Sequence, residues 1–238
     1  MDKTILHKAS SRFSADHGWL NSAQTFSFHG HYDVERLQFG ALRVLNDDTV
    51  NGGKGFGEHP HDNMEIISIP LEGTLEHQDS MGNTALIRPG EIQAMSAGTG
   101  IYHTEFNYNK NEPVTFLQIW LYPNTLNVEP RYDQQTFGEK DKHNKLIQIL
   151  SPNEDDEGVW IYQNAWFHIG DLDKDVKIEY DLKDKSNGVY VFVINGDVEA
   201  DGQILNKRDG FGIWDLQALE IKAVSDATIL VMEVPKKW

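Results

Sequence analysis

Glycines recur at a nearly constant interval in the first half of the chain, and this spacing restricts the fold more than any other feature of the sequence. They lie at Gly73, Gly82, Gly90 and Gly98, which are steps of nine, eight and eight residues. Short runs rich in apolar residues separate them, such as "TALIRP". Short strands bounded by turn residues at this interval favour an antiparallel sandwich or barrel over alternating strands and helices. The spacing therefore predicts an all-β protein.

The second half of the chain repeats the pattern of the first half. Three pairs of segments match in the same order: 71–79 with 194–202, 87–95 with 206–215, and 114–123 with 227–235. Such an ordered series of matches indicates duplication of one β-barrel unit. Between the two series, the segment 128–145 is polar and turn-like, which is typical of a linker. We therefore predict two domains, residues 1–130 and residues 131–238.

The composition argues against several classes of protein. There are 37 acidic and 21 basic side chains, a net charge of −16, and the basic residues are scattered, so direct binding to nucleic acid is not expected. The chain has no cysteine, which excludes disulfides, thiolate metal sites and cysteine nucleophiles. No run approaches the roughly 18 apolar residues of a membrane helix. The first residues also lack the apolar core of a signal peptide. We expect a cytoplasmic monomer that does not contact membranes.

Two pairs of polar residues have the spacing of metal ligands on β-strands. His59 and His61 stand at i and i+2 in "EHPH", and His103 and Glu105 have the same spacing in "YHTEF". Residues at i and i+2 project from one face of a strand, so two such strands can direct all four groups at one ion. Imidazole and carboxylate ligands suit a divalent transition metal, and four ligands on an octahedral ion leave two positions open.

The other histidines are interpreted as lying outside this site. His29 and His31 form a rival i and i+2 pair in "FHGHY", but the glycine between them predicts a mobile loop. His77, in "LEHQD", is interpreted as a structural histidine beside acidic residues. The remaining four have no evident partner in the sequence and are assigned no metal role: His7, His17, His143 and His168.

The chain resembles the pirins, which are two-domain members of the cupin superfamily. The resemblance runs through "TFSFHGHYD", "FGALRVLNDD", "GFGEHPHDNMEIISIPLEGTLEHQDSMGN" and "QAMSAGTGIYHTEFN", and covers most of residues 10–125. It implies two tandem cupin barrels, a bicupin. Carried over position by position, it implies metal ligation by His59, His61, His103 and Glu105. The second half contains no histidine in "LEIKAVSD" (219–226), opposite the second ligand pair, so a second metal site is not expected.

The resemblance also implies a reaction. Bacterial pirins show quercetinase activity, so we expect a quercetin 2,3-dioxygenase-like oxidoreductase that cleaves a flavonol with O2 and releases CO. Glu105 would be the fourth ligand or, when displaced, the base that takes the flavonol 3-hydroxyl proton. Fe(II) is the expected metal, with Ni, Cu, Mn, Co or Zn as alternatives. The alternative function is a non-catalytic, redox-sensing regulator that acts through protein partners, which an acidic exterior fits better than DNA.

Overall fold

The computed structural model describes residues 3–138 and 142–237, and nearly all of its regular structure is β. Two short 3₁₀ helices span Ala9–Ser11 and Val34–Arg36. The strands of the first half are β1 (Thr4–His7), β2 (Phe13–Asp16), β3 (Leu20–Gln24), β4 (Leu42–Val50), β5 (Gly55–His61), β6 (Glu65–Glu72), β7 (Leu75–Asp79), β8 (Thr84–Ile87), β9 (Glu91–Ser96), β10 (Ile101–Asn107), β11 (Val114–Leu121) and β12 (Arg131–Thr136). Those of the second half are β13 (Ile147–Ser151), β14 (Val159–Trp160), β15 (Trp166–Leu172), β16 (Lys177–Asp181), β17 (Gly188–Asn195), β18 (Val198–Ala200), β19 (Gln203–Leu205), β20 (Gly210–Ile213), β21 (Ala218–Ala223) and β22 (Ala227–Val234). Among these described residues, no helix is long and apolar enough to cross a membrane.

The strands form two barrels with the same order of strands. In the first barrel, a seven-stranded sheet (β12-β9-β6-β11-β4-β3-β2) accompanies a four-stranded sheet (β5-β10-β7-β8). In the second barrel, the corresponding sheets are β1-β20-β17-β22-β15-β13-β14 and β16-β21-β18-β19. Two of the predicted segment matches are seen in the structure: the turns at Gly73 and Gly196 both have positive φ, 77° and 76°, and β11 and β22 occupy equivalent central positions. The all-β, two-barrel fold is therefore confirmed.

Each large sheet has an edge strand that lies on the other side of the predicted domain boundary at 130/131. Thr4–His7 (β1) pairs with β20 in the second barrel, and Arg131–Thr136 (β12) pairs with β9 in the first. The segment 128–145, which was predicted to be turn-like, thus contains a strand, and its residues 139–141 lie outside the described residues. The division at 130/131 stays a prediction, and we propose it only as the approximate point where the two barrels are joined.

The two large sheets pack face to face through one continuous apolar core. Along β11, Leu117 and Ile119 point to this core, whereas Gln118 between them points into the first barrel. The partners from the second half alternate in the same way, since Leu230 and Met232 of β22 join the same cluster. Successive side chains of a strand point to opposite sides of the sheet. Each large sheet therefore turns one face to the shared core and the other to the interior of its own barrel.

The interiors of the two barrels differ in chemistry. The interior of the second barrel is filled by a cluster of apolar side chains that includes Val191 and Val193 of β17, Ile221 of β21, and Ile229 and Val231 of β22. The interior of the first barrel holds buried polar side chains beside smaller apolar clusters. The second half also buries His168 and Glu233, but the cluster of three possible metal ligands found among the described residues lies in the first barrel. The first barrel is therefore the place to look for a functional site.

One buried acid at the contact between the barrels gives a prediction about pH. Glu65 is 1% exposed and accepts a hydrogen bond of 2.7 Å from the Ser96 hydroxyl. Burial raises its pKa from 4.5 to about 7, against the opposing effect of hydrogen bonds from Ser96 and the Tyr162 backbone. A carboxyl group whose pKa is raised on folding stabilises the protein below its unfolded pKa, and this stabilisation is lost as the pH rises from 4.5 through about 7.

Replacing Glu65 by glutamine is therefore expected to stabilise the protein above pH 7 relative to wild type, and to have little effect below pH 4.5. The gain is expected to reach up to about 3 kcal/mol in the free energy of unfolding, because each pKa unit corresponds to about 1.4 kcal/mol. Urea denaturation at both ends of this pH range measures it. The control is Glu154→Gln, which changes an exposed carboxylate. An equal effect of Glu65→Gln at both pH values would contradict the assignment.

Candidate metal centre

Two adjacent strands of the four-stranded sheet, β5 and β10, carry the predicted ligands. They pair so that His59 lies directly opposite His103 and His61 lies opposite Ile101. The register shifts between His103 and Glu105, where the structure has a bulge or irregularity. Bulges commonly redirect a side chain next to a functional site. The alternation of the strands places the histidines inside the barrel, while Tyr102, which precedes His103, is 52% exposed.

The three histidines converge as expected from their spacing. The ligand nitrogens of His59, His61 and His103 all lie within 4.8 Å of one another. Their ring centroids are 4.4 Å apart for His59 and His103 and 4.9 Å apart for the other two pairs. The Nε2 atoms of His61 and His103 are buried and have no hydrogen-bond partner among the described residues. Buried polar nitrogens are normally paired, so unpaired ones directed at a common point fit a metal cation.

The charge state of these imidazoles also suits metal binding. Burial and, to a smaller extent, the neighbouring His103 and His59 lower the pKa of His61 to about 4. Burial likewise lowers the pKa of His103 to about 3, with added contributions from His59 and His77. Both rings are therefore neutral near neutral pH. A neutral imidazole offers the lone pair that a metal requires, so the site needs no deprotonation of these two ligands before it binds an ion.

Glu105, the fourth predicted ligand, is oriented by the large sheet. Its side chain is buried, and its two carboxylate oxygens accept hydrogen bonds from Ser68 Oγ at 3.1 Å and from Gln118 Nε2 at 2.8 Å. The close cluster of ligand atoms in the described part of the chain comprises the three histidines. Ligation by Glu105 therefore stays a prediction. Its hydrogen bonds hold a carboxylate in the polar interior of the barrel, where it can accept a proton or join an ion.

A row of polar side chains crosses the large sheet beneath Glu105. Consecutive strand pairings align the members of this row: Gln24, Asn46, Gln118, Ser68, Gln93 and Gln134. Four side chains in or next to this row have buried polar atoms without a hydrogen-bond partner among the described residues: Gln24 Oε1, Asn46 Oδ1, Asp48 Oδ1 and both amide atoms of Gln93. Burial raises the pKa of Asp48 to about 7. The floor of the barrel is therefore a polar surface with free hydrogen-bonding capacity.

Aromatic rings line one side of the histidine cluster. Trp120 packs edge-on against His61, with centroids 4.9 Å apart, and Phe28 packs edge-on against Trp120 at 5.3 Å. Phe56 lies near His59 at 6.4 Å. The Nε1–H of Trp120 is buried and has no hydrogen-bond partner among the described residues. The site thus combines a nitrogen cluster with flat apolar surfaces, which is the arrangement expected for an aromatic ligand.

Several histidines that seemed partnerless in the sequence have partners in the structure. His7 Nδ1 bonds the Tyr190 hydroxyl at 2.7 Å, and His143 lies 3.3 Å from Asp173. The rival pair is not part of the cluster found among the described residues: His29 is exposed and packs on Phe28, and His31 stacks on Phe13. These contacts could not be inferred from spacing, because each partner is distant in the chain or belongs to a loop.

Three residues that shape the site were not predicted from the sequence to do so. Ser68 and Gln118 each interrupt an apolar strand, in "IISIP" and "FLQIW", and this interruption was an available signal for an inward polar position. The interpretation of His77 as merely structural is incomplete, since its ring contacts His103, with Nδ1 atoms 3.5 Å apart. Only the pairing of β7 with β10 brings these two histidines together.

Comparisons with known proteins agree with the fold. Residues 6–121 match the pirin family, and residues 148–234 match the quercetinase C-terminal cupin domain. A curated relative from Escherichia coli (strain K12), named quercetin 2,3-dioxygenase, is 42% identical over 97% of this chain and 98% of its own length. A pirin-like protein from Caulobacter vibrioides is 37% identical over 92% of this chain and 94% of its own.

Solved structures give the same result. The crystal structure of the bacterial pirin YhhW from Escherichia coli in complex with nickel(II) matches with a TM-score of 0.92 and 40% identity, covering 98% of this chain and 99% of that one. Two tandem cupin barrels, the first with a three-histidine cluster, define a bicupin with a candidate metal centre. Within that class, the chain belongs to the pirin family.

Proposed function

We propose that the protein is a metal-dependent dioxygenase that cleaves flavonols such as quercetin with O2 and releases CO. The observation that carries this proposal is the group of three buried or half-buried imidazoles whose ligand nitrogens lie within 4.8 Å of one another. The names of the curated relatives supply the reaction, because the relative that is 42% identical is called quercetin 2,3-dioxygenase. Function and substrate are inferred from the geometry of the site together with the sequence similarity to these relatives.

His59, His61, His103 and Glu105 would hold the metal, and the donor set suits Fe(II), with Ni, Cu, Mn, Co or Zn as alternatives. Such an ion, when bound, supplies Lewis-acid and redox chemistry and lowers the pKa of a hydroxyl group that approaches it. The chain itself contributes the fixed imidazoles. The nickel(II) complex of the YhhW pirin from Escherichia coli supports the capacity of this fold to bind a transition metal.

Glu105 would be the fourth ligand or, when displaced from the metal, the base that accepts the 3-hydroxyl proton of the flavonol. Its carboxylate is held by Ser68 and Gln118 on the large sheet, so the position of its oxygens is fixed before the substrate arrives. A positioned carboxylate can act as a general base within hydrogen-bond reach of the proton that it removes. Ser68 and Gln118 would thus orient the base without touching the substrate.

Trp120 and Phe28 would bind the flat rings of the flavonol. Their edge-to-face contact beside His61 provides an apolar wall for an aromatic substrate. The unpaired Nε1–H of Trp120 offers a hydrogen bond to a substrate oxygen. Gln118 projects from the same face of β11 as Trp120 and belongs to the polar row that crosses β3, β4, β11, β6 and β9, which can receive hydroxyl groups or water.

The proposal is tested with metal-loaded protein, quercetin and oxygen. We expect quercetin to disappear with equal consumption of O2 and formation of CO, and the metal-free protein to be inactive under the same conditions. Oxygen consumption without CO would mean metal-catalysed autoxidation and would contradict the proposed cleavage. Protein that binds metal tightly but never turns over flavonols would instead favour the non-catalytic, partner-binding alternative.

A further inference from the structure

A chain of side chains connects a buried carboxylate to one of the candidate metal ligands. Asp79 Oδ2 lies 3.0 Å from His77 Nε2, and His77 Nδ1 lies 3.5 Å from His103 Nδ1. His77 is 0% exposed and its ring is also 4.8 Å from the ring of Tyr132. The pairing of β7 with β10 fixes this arrangement, because it places His103 opposite Asp79 and Glu105 opposite His77.

The carboxylate at the far end of this chain is itself held firmly. Asp79 Oδ1 accepts hydrogen bonds from the backbone N–H groups of Met81 and Asn83, and Oδ2 accepts one from Asn83 Nδ2 at 2.9 Å. The turn after β7 therefore supplies three donors that fix Asp79. A carboxylate with this set of donors is an acceptor only, so the hydrogen between Asp79 and His77 belongs to His77 Nε2.

That assignment favours one arrangement of the hydrogens on His77 and His103. An imidazole that carries a single hydrogen, on Nε2, has a bare Nδ1 that can only accept. The contact between the two Nδ1 atoms then requires His103 to donate from its own Nδ1. His103 Nε2 is left with a lone pair, and this is the buried atom that lacks any hydrogen-bond partner among the described residues.

We propose that His77, held by Asp79, is a positioning residue that fixes the tautomer and orientation of His103 so that Nε2 faces the metal. Ligating histidines commonly donate their second ring N–H to a carboxylate or carbonyl, which raises ligand basicity and holds the ring. His59 is held in a simpler way, because its Nδ1 lies 2.7 Å from the carbonyl oxygen of Gly57. The inference rests on the three-histidine centre and not on the oxygenase activity.

The test measures Ni(II) affinity by competition with a chromophoric chelator, and tautomer by ¹⁵N NMR of the metal-free protein. His77→Leu removes the acceptor and is expected to weaken Ni(II) binding by about 10–100-fold, the usual range for an outer partner of a ligand. His77→Gln keeps an amide oxygen that can accept from His103, so its loss is expected to stay below about tenfold. His168→Leu is the matched control, because it removes a buried histidine of the second barrel.

The NMR signal of His103, assigned by its loss in His103→Ala, separates positioning from general stability. In wild type it is expected to carry its hydrogen on Nδ1, and in His77→Leu the population with the hydrogen on Nε2 should increase. Wild-type His103 with its hydrogen on Nε2 would overturn the proposal, as would unchanged Ni(II) affinity in folded His77→Leu. If His77→Leu fails to fold, an affinity loss as large as 10–100-fold in His77→Gln would overturn it as well.

Discussion

His61→Ala is expected to abolish metal binding and to lower quercetin turnover by more than about 100-fold. This exceeds the usual effect of removing a residue that only hydrogen bonds to a metal ligand. His61 supplies one of the three clustered nitrogens, and its Nε2 has no other partner among the described residues. Alanine at this position leaves two imidazoles, which cannot enclose an ion as three do. The ring also packs against Trp120, so the aromatic wall loses a contact as well.

Elemental analysis of protein purified without an affinity tag measures the metal, and oxygen uptake with quercetin measures turnover. The matched control is His29→Ala, taken from the rival pair, since His29 is exposed and lies outside the cluster. It is expected to retain wild-type metal content. Full metal content and wild-type turnover in His61→Ala would eliminate the proposed centre. Loss of metal in His29→Ala alone would move the site to the rival pair.

The sequence predicted the fold and the two i and i+2 ligand pairs because these depend on local periodicity. Turn glycines such as Gly73 and Gly196 mark equivalent corners of the two barrels, and both have the positive φ that a tight turn requires. The i and i+2 spacing of His59 and His61 places them on one face of a strand whatever the rest of the chain does. These features are readable without knowing which strands become neighbours.

Features that depend on strand pairing were not readable in the same way. Nothing near His77 in the chain indicates that its ring meets His103, since that contact exists only because β7 lies beside β10. The same limit applies to β1, a short strand that completes a sheet formed by residues about two hundred positions away. Polar composition concealed β12, because "RYDQQT" lacks the apolar alternation by which strands are recognised.

The two barrels show how one architecture separates structural and chemical roles. At positions of β21 equivalent to the ligand strand β10, the second barrel has Leu219, Ile221 and Ala223, all fully buried in an apolar cluster. Burial of apolar area stabilises that barrel, and these three positions supply no ligand for an ion. The first barrel instead keeps buried polar groups, such as Gln93 and Asp48, with unmet hydrogen bonds. Such groups lower stability unless a ligand or water pairs with them, and natural proteins retain them at functional sites.

Glu105→Gln is expected to lower quercetin turnover by about 10²–10⁴-fold, the usual contribution of a general base, while the three histidines still bind metal. An amide has nearly the shape of the carboxylate and can still bond Ser68 and Gln118, so the fold should survive. It cannot take up the flavonol 3-hydroxyl proton. Glu58→Gln is the matched control, because Glu58 is an exposed carboxylate next to His59.

Anaerobic titration of the metal-loaded proteins with quercetin separates the two roles proposed for Glu105. If Glu105 is the base, wild type should give the red-shifted absorbance of the ionised flavonol near neutral pH, and Glu105→Gln should require a higher pH for the same spectrum. If Glu105 acts as a ligand alone, the variant should lose metal affinity yet ionise quercetin normally once it is saturated with metal. Wild-type turnover in Glu105→Gln would exclude both roles, because neither a base nor a fourth ligand can be removed without cost to the reaction.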